Sequence, residues 1–257
     1  MNALHILITG ASGGIGEATA LRLAQPNSRY TVKTLVLHYN SNASTTQRIT
    51  DEVGQLNPAV KVAWLQADLG SAGEVDRLHQ DAVAAAGAPI NVLFANAGTT
   101  ADHSGPTGTL DAVPPEVFEQ TWRVNTLSVY QLTRLVAPGM TDQGFGRVIY
   151  NSSVAGLTGG VVGAHYASSK SALHGMLHYL SPRLAASGVT INAVAPALIE
   201  GTAMLPQGGE GNRELKAKIP VGRLGRPDEI AGVVCLMVEN GYVNNKVWAV
   251  DGGWVPR

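Results

Sequence analysis

The sequence predicts an α/β fold, a single doubly wound parallel sheet of about seven strands with helices on both faces. Short apolar runs of strand character alternate with longer helical segments from the N-terminus onward, and that alternation demands crossover connections between parallel strands. The strand runs are continuously apolar, as strands covered on both faces must be. A chain of 257 residues, 45% apolar and 14% charged, can bury such a sheet without disulfide or metal staples. No repeat, low-complexity tract or linker divides it, so residues 1–257 read as one domain.

The elements follow in order. LHILITG (4–10) is the first strand and feeds the helix GEATALRLA (16–24). TLVLHYN (34–40), rich in β-formers, leads into the helix TTQRITDEVGQL (45–56), and KVAWLQADL (61–69) into GEVDRLHQDAVAAAG (73–87). INVLFANAG (90–98) is a fourth strand, and EVFEQTWRVNTLSVYQLTRLVAPGM (116–140) reads as one long helix. GRVIYNSS (146–153) and VTINAVAP (189–196) are strands flanking a second long helix, HYASSKSALHGMLHYLSPRLAASG (165–188). Pro182 lacks an N–H there and its ring meets the carbonyl of His178, so a kink is expected. IAGVVCLMV (230–238) is an apolar helical stretch holding the single cysteine, Cys235, as a buried thiol, and KVWAV (246–250) is the last strand. Pro196 to Pro227 is the loosest region, rich in Gly and Pro. Within it, residues 198–219, with Met204, Leu205 and Pro206 among glycines, are expected to form a partly apolar lid over a substrate.

Charge excludes some functions. The formal net charge is −1 and no run of Lys or Arg stands out, so the electrostatic footprint of nucleic-acid binding is missing. MNALHILITG lacks a basic n-region and reaches glycine too soon for a signal peptide, and no apolar run approaches the ~20 residues that span a bilayer. One cysteine cannot close an internal disulfide, which agrees with a reducing compartment. The expectation is a cytoplasmic protein with no nucleic-acid or membrane partner. The seven histidines are scattered without metal-ligand spacing, so no metal is expected.

ITGASGGIGEATA follows the first strand and opens the first helix, the context that a nucleotide-binding glycine motif requires. Gly10 allows the tight turn, Gly14 lets the backbone approach a pyrophosphate, and Gly16 permits close helix-on-sheet packing, with the helix N-terminus offering N–H groups to phosphate. The spacing also fits Gly10, Gly13 and Gly16, and the loop alone does not decide between the two. Further along, AHYASSK sets Tyr166 four residues before Lys170. Any amphipathic helix places residues i and i+4 on one face, so the weight of this pair depends on the rest of the chain.

That rest includes NAG at 96–98, VNTLSVYQLTR around Asn125, VIYNSSVAG, PVGRLGRPDEIA at 220–231 and VDGG at 250–253. Together with the glycine loop and HYASSK, these identify the chain as similar to the short-chain dehydrogenase/reductase superfamily. It resembles the compact branch that includes 3-oxoacyl thioester reductases and related carbonyl reductases. The resemblance implies a Rossmann-type sheet and selects Gly10, Gly14 and Gly16 as the working glycines. It further implies Tyr166 as proton donor or acceptor, Lys170 as its partner and a ligand of the nicotinamide ribose, and Ser153 as the carbonyl-polarising hydroxyl. Asn125 is implied as a fourth member that holds a water. Ser153 precedes Tyr166 by thirteen residues, the family's separation, whereas Ser152 lies twelve before. A tyrosine hydroxyl titrates near about 10, and a nearby ammonium and a cationic nicotinamide favour its phenolate.

The same resemblance gives the cofactor contacts. Beside Gly10, Ser12, Gly13, Gly14, Ile15 and Gly16 stand Tyr39, Asn40 and Ser41 at the end of the second strand, Asp68 and Leu69 after the third, and Asn96, Ala97 and Gly98 after the fourth. Pro196, Ile199 and Thr202 follow the sixth. An acidic residue ending the second strand would bind the ribose 2′-OH of NAD and repel a 2′-phosphate. Tyr39, Asn40 and Ser41 carry no carboxylate, so NADP is expected over NAD, with Arg48 as a further candidate for the 2′-phosphate. Asp68 reads equally as a helix N-cap. The chain departs from the family's pattern at Ala95, at Ala197, at Gly201 with Thr202 beside it, and at Asn244 and Asn245. His165, next to Tyr166, either faces the pocket or covers the helix start.

The function expected is reduction of a carbonyl to an alcohol by hydride transfer, with Tyr166 as general acid and a small-molecule ketone or 3-oxoacyl thioester as substrate. The alternatives are a non-catalytic dinucleotide-sensing regulator and an epimerase or dehydratase relative. A homo-oligomer, tetramer or dimer, is implied by relatives that pair the second long helix with its copy.

Overall fold

In the computed structural model, which describes residues 2–102, 113–205 and 212–255, the chain opens with β1 (Asn2–Ile8), α1 (Gly14–Ala24), β2 (Tyr30–Tyr39) and α2 (Ser44–Leu56). β3 (Lys61–Gln66), α3 (Ala72–Ala86) and β4 (Val92–Ala95) follow, then α4 (Pro115–Trp122) and α5 (Ser128–Asp142). β5 (Gly146–Asn151), the short α6 (Ala155–Thr158), α7 (Ala164–Leu184) and β6 (Val189–Pro196) precede α8 (Asn212–Ala217), α9 (Pro227–Glu239) and β7 (Val247–Val250). All seven strands pair in parallel, in the order β3-β2-β1-β4-β5-β6-β7.

The alternation of side chains through the sheet divides the core. Leu4, Ile6 and Ile8 of β1 pack with Ala20 and Leu23 of α1, Ile49 and Val53 of α2, and Ile230, Val234 and Met237 of α9. Leu7, Val36 and Leu93 face the other way, onto Val75 and Leu78 of α3, Leu132 and Val136 of α5, and Leu173 and Leu177 of α7. Both faces are dry, which is why every residue of β4 and β6 is buried and the sequence shows no alternation there. Strand order reverses between β1 and β4, and the carboxyl ends of these two strands form the crevice in which open α/β sheets bind ligands.

Three expectations change. β2 begins at Tyr30, several residues earlier than expected. The helix expected over 116–140 is broken at Arg123–Leu127 into a π turn, whose cause is the tertiary role of Asn125 described below. α7, with Pro182 inside it, ends at Leu184, four residues short of its expected end at Gly188, and tightens to a 3₁₀ turn at Ala185–Ser187. Asn245 takes a left-handed conformation (φ 61°) that asparagine tolerates, filling a place where glycine is common, and its amide oxygen accepts the His178 Nδ1–H at 2.7 Å. Of the expected lid, 198–219, residues 206–211 lie outside the described residues, and α8 lies within the remainder. Among the described residues no helix is long and apolar enough to cross a membrane.

Candidate active site

The crevice is built from loop backbone. Gly10 follows β1 at φ +62°, and a Cβ there would come within 2.9 Å of the Ala97 Cα, so only glycine lets the first loop lie against the segment after β4. Gly13 holds the N-cap position of α1 without a side-chain cap, which leaves the first-turn N–H groups of Gly14, Ile15 and Gly16 facing the loop. A Cβ at Gly14 would collide with the Gly201 carbonyl oxygen, so the loop after β6 closes directly over the glycine loop. Ser12 is half-buried on its rim. These are features of a cradle that a pyrophosphate fits: bare backbone, an uncapped helix start and no room for side chains.

Asn96 clamps this crevice. Its Nδ2 donates to the carbonyls of Thr9 and Gly10, both at 3.0 Å, and its Oδ1 accepts from Asn151 Nδ2 at 2.8 Å. The Thr9 hydroxyl accepts the N–H groups of Asn96 and Ala97 at 2.9 and 3.0 Å. The ends of β1, β4 and β5 are thereby locked together. Gly98 lies against Lys170 and Asn125, since a Cβ there would sit 3.2 Å from Lys170 Nζ and 3.5 Å from Asn125 Oδ1.

The opposite end of the crevice carries Tyr39, Asn40 and Ser41. Tyr39 meets Trp64 edge-on, with ring centroids 6.3 Å apart, and the Asn40 carbonyl accepts Gln66 Nε2–H at 3.1 Å. Arg48 is engaged by Glu17 at 2.6 Å and Glu52 at 2.9 Å, joining α2 to α1. Asp68 is not a helix cap: Ser71 holds that position for α3, and Asp68 Oδ1 accepts the Gly70 N–H at 2.8 Å in a local turn. Leu69 is buried in the core beneath it. One residue here escaped sequence reasoning: His38, buried before Tyr39, accepts the Gly10 N–H on Nδ1 at 3.0 Å and donates from Nε2 to the Ala67 carbonyl at 3.0 Å. A histidine near the end of an apolar strand was its one sequence signal.

The candidate catalytic residues meet where β5 ends and α7 begins. Ser153, half-buried, hydrogen-bonds the Tyr166 hydroxyl and accepts the Ala155 N–H at 3.1 Å. Ser152 points elsewhere: buried, it donates to the Lys170 carbonyl at 3.2 Å and accepts the His174 Nε2–H at 2.7 Å. Ser153 is thus the hydroxyl that reaches Tyr166, and Ser152 with His174 pins the end of β5 to α7. Neither His174 nor Asn151 was singled out in the sequence. Lys170 lies one helical turn from Tyr166, with Nζ 5.7 Å from the centre of the tyrosine ring, and donates to the Asn151 carbonyl at 2.6 Å.

Burial governs the electrostatics. Tyr166 is 6% exposed and Lys170 3%. Desolvation raises the Tyr166 hydroxyl above its ordinary value, with the Ser153 hydrogen bond opposing it. The same effect pushes Lys170 down to about 8. Without a bound cation, then, the phenol keeps its proton, the state of a general acid. Ser153, and not Lys170 as expected, supplies the lowering that opposes burial.

Asn125 is buried in the π turn. Its Oδ1 accepts the Thr99 N–H at 2.8 Å, and its Nδ2 donates to the Thr99 carbonyl at 2.9 Å and Ser169 Oγ at 3.0 Å. Reaching both the loop after β4 and α7 requires the extra residue of the π turn. His165 is fully buried and donates from Nε2 to the Thr100 carbonyl at 3.2 Å, so it braces the same loop. Beyond β6, Pro196 accepts the Val154 N–H, Ile199 bridges to Gly225, and the Thr202 hydroxyl turns back to the Ile199 carbonyl at 3.0 Å. Thr202 stands beside Gly201, whose carbonyl covers Gly14.

Residues 4–212 match the family model described as short chain dehydrogenase. The chain is 32% identical over 250 residues to an uncharacterized oxidoreductase, YmfI, of Bacillus subtilis, covering 96% of this chain and 97% of that one. It is 34% identical to 3-oxoacyl-(acyl-carrier-protein) reductase FabG of Aggregatibacter actinomycetemcomitans, over 96% of this chain and 98% of the other. Among solved structures it resembles a blue fluorescent protein from a metagenomic library in complex with NADPH, with a TM-score of 0.85 and 30% identity over 98% of both chains.

Proposed function

The chain belongs to the short-chain dehydrogenase family, and from that premise we propose that it reduces a ketone to a secondary alcohol with NADPH, a 3-oxoacyl thioester being the foremost substrate class. The observation that carries the reading is the pairing of the half-buried Ser153 side chain with the buried Tyr166 hydroxyl, with the Lys170 ammonium one turn behind the phenol.

A bound reduced nicotinamide dinucleotide supplies the hydride. The chain's own residues do the rest. The two hydroxyls converge on the place a substrate carbonyl oxygen would occupy, where Ser153 donates a hydrogen bond and Tyr166 releases its proton as negative charge develops. Burial keeps the phenol protonated beforehand, so the acid is charged for reduction. Lys170, fixed by the Asn151 carbonyl, stabilises the phenolate left behind. The Asn125 amide is spent on Thr99 and Ser169, so its side chain holds the loop after β4 against α7.

The cofactor assignment rests on the absence of a carboxylate at Tyr39, Asn40 and Ser41 and on the NADPH named for the similar structure. Ser12, Asn40 and Ser41 are its candidate partners for a 2′-phosphate, because Arg48 is already bound by Glu17 and Glu52. The thioester reading draws on the FabG relative. Assembly into a homo-oligomer is supported by the exposed apolar groups Leu127, Tyr130 and Tyr179, and work in the cytoplasm is part of the same reading. The test is to follow NADPH absorbance across ketones, aldehydes and 3-oxoacyl thioesters. Oxidation of NADPH with a 3-oxoacyl thioester, at higher kcat/KM than with NADH, is expected. Turnover with none of them would favour a dinucleotide-sensing regulator.

A further inference from the structure

His38 sits one residue before the end of β2 and is 2% exposed. Its two ring nitrogens face different strands: Nδ1 is 3.0 Å from the Gly10 main-chain nitrogen and Nε2 is 3.0 Å from the Ala67 carbonyl oxygen. The Gly10 N–H can only donate and the Ala67 carbonyl only accept, so the ring is neutral with its proton on Nε2. Main-chain bonds run beside it, from Ala11 N–H to the His38 carbonyl at 2.8 Å and from Ala67 N–H to the Tyr39 carbonyl at 3.2 Å. A single imidazole therefore ties the ends of β1, β2 and β3, the elements that carry Gly10, Tyr39 and Asp68.

We propose that His38 is a positioning residue for the dinucleotide and acts as a proton-sensitive latch: neutral, it holds the glycine loop in its binding geometry, and protonated on Nδ1 it opposes the Gly10 N–H and releases the loop. The proposal rests on the dinucleotide reading given above. The latch has little competition from other charges. On the β1 side its neighbours are backbone, and on the β3 side Asp68 turns its carboxylate to the Gly70 N–H. On α3, which packs on the same face, Glu74 and Asp81 are paired with Arg77 and Asp76 with Gln131, and His79 is the remaining titratable group. Burial holds the His38 imidazole below its ordinary value of 6.5, opposed by the Ala67 hydrogen bond, so the latch opens on the acid side of neutrality.

The test is the affinity of the full-length chain for ADP-ribose, which carries no nicotinamide, measured by calorimetry from about pH 8 to about pH 5. In the wild-type chain the affinity is expected to fall as pH drops below neutrality, approaching tenfold per pH unit, the slope of one coupled proton. In His38→Asn, whose amide oxygen can replace Nδ1 as the acceptor but does not titrate, binding is expected to survive with a flat pH profile. Nitrogen-15 NMR of the wild-type histidines near neutral pH should show His38 as the Nε2–H tautomer, a result that does not depend on any variant folding. Tight wild-type binding that stays flat with pH, the same pH slope in His38→Asn, or an Nδ1–H tautomer would each overturn the latch. If ADP-ribose and NADPH both fail to bind even near pH 8, the dinucleotide reading itself falls, and the latch with it.

Discussion

Replacing Lys170 with methionine separates what the fold tolerates from what the chemistry needs. The Lys170 ammonium is 3% exposed, and burial moves it from an ordinary 10.5 to about 8. At about 1.4 kcal/mol per tenfold, holding that charge destabilises the native state by about 3 kcal/mol near neutral pH. Methionine keeps the length of the side chain and removes the charge, but gives up the bond to the Asn151 carbonyl, a charge-assisted contact worth about 2 kcal/mol. The net expectation near pH 7 is a K170M chain about 1 kcal/mol more stable than wild type, and without turnover. Its dependence on pH is the sharper readout. Between about pH 8 and 10.5 the unfolded lysine binds more protons than the native one, so wild-type stability rises with pH across that window. By about pH 9.5 the wild type should have gained about 2 kcal/mol that K170M does not gain. Urea unfolding of both proteins at the two pH values measures this. Parallel pH profiles, or a K170M chain that is less stable by more than about 2 kcal/mol near neutrality, would refute the desolvation argument.

Other substitutions separate roles that lie side by side. Ser153→Ala should lower kcat roughly a hundredfold with little change in KM, as loss of a hydrogen bond to developing charge does, whereas Ser152→Ala should retain most of its turnover and lower the melting temperature by loosening β5 from α7; steady-state kinetics and thermal unfolding decide it. In Gly14→Ala the new methyl group meets the Gly201 carbonyl, so NADPH affinity by fluorescence titration should fall roughly tenfold or more while Tyr166 and Ser153 keep their hydrogen bond.

Much of this architecture is legible in the chain because it depends on local pattern. Seven continuous apolar runs give a doubly covered parallel sheet, and the glycines at 10, 14 and 16 stand where backbone must approach backbone. Ser153, Tyr166 and Lys170 are pointed out by the resemblance to the family, and the structure brings them together because Ser153 lies just past β5 while Tyr166 and Lys170 share one turn of α7. What escaped is tertiary. The π turn at Arg123–Leu127 exists because Asn125 must reach Thr99 and Ser169 together, and no spacing within 116–140 announces those partners. Asp68 looks like a helix cap until the turn to Gly70 is seen. Arg48 looks free for a phosphate until Glu17 meets it from another helix. His38 and His174 read as scattered histidines, since their partners lie on neighbouring strands and at the end of β5.

In the proposed reaction Tyr166 is the proton donor for a hydride transfer, and the rest of the crevice binds and orients. Tyr166→Phe removes one oxygen from a buried ring and leaves Lys170 bonded to Asn151. NADPH binding by this variant should stay close to that of wild type, while turnover of whichever carbonyl compound the wild-type chain reduces should be lost. A Tyr166→Phe protein that still reduces that substrate at a rate comparable to wild type would rule out Tyr166 as the proton donor.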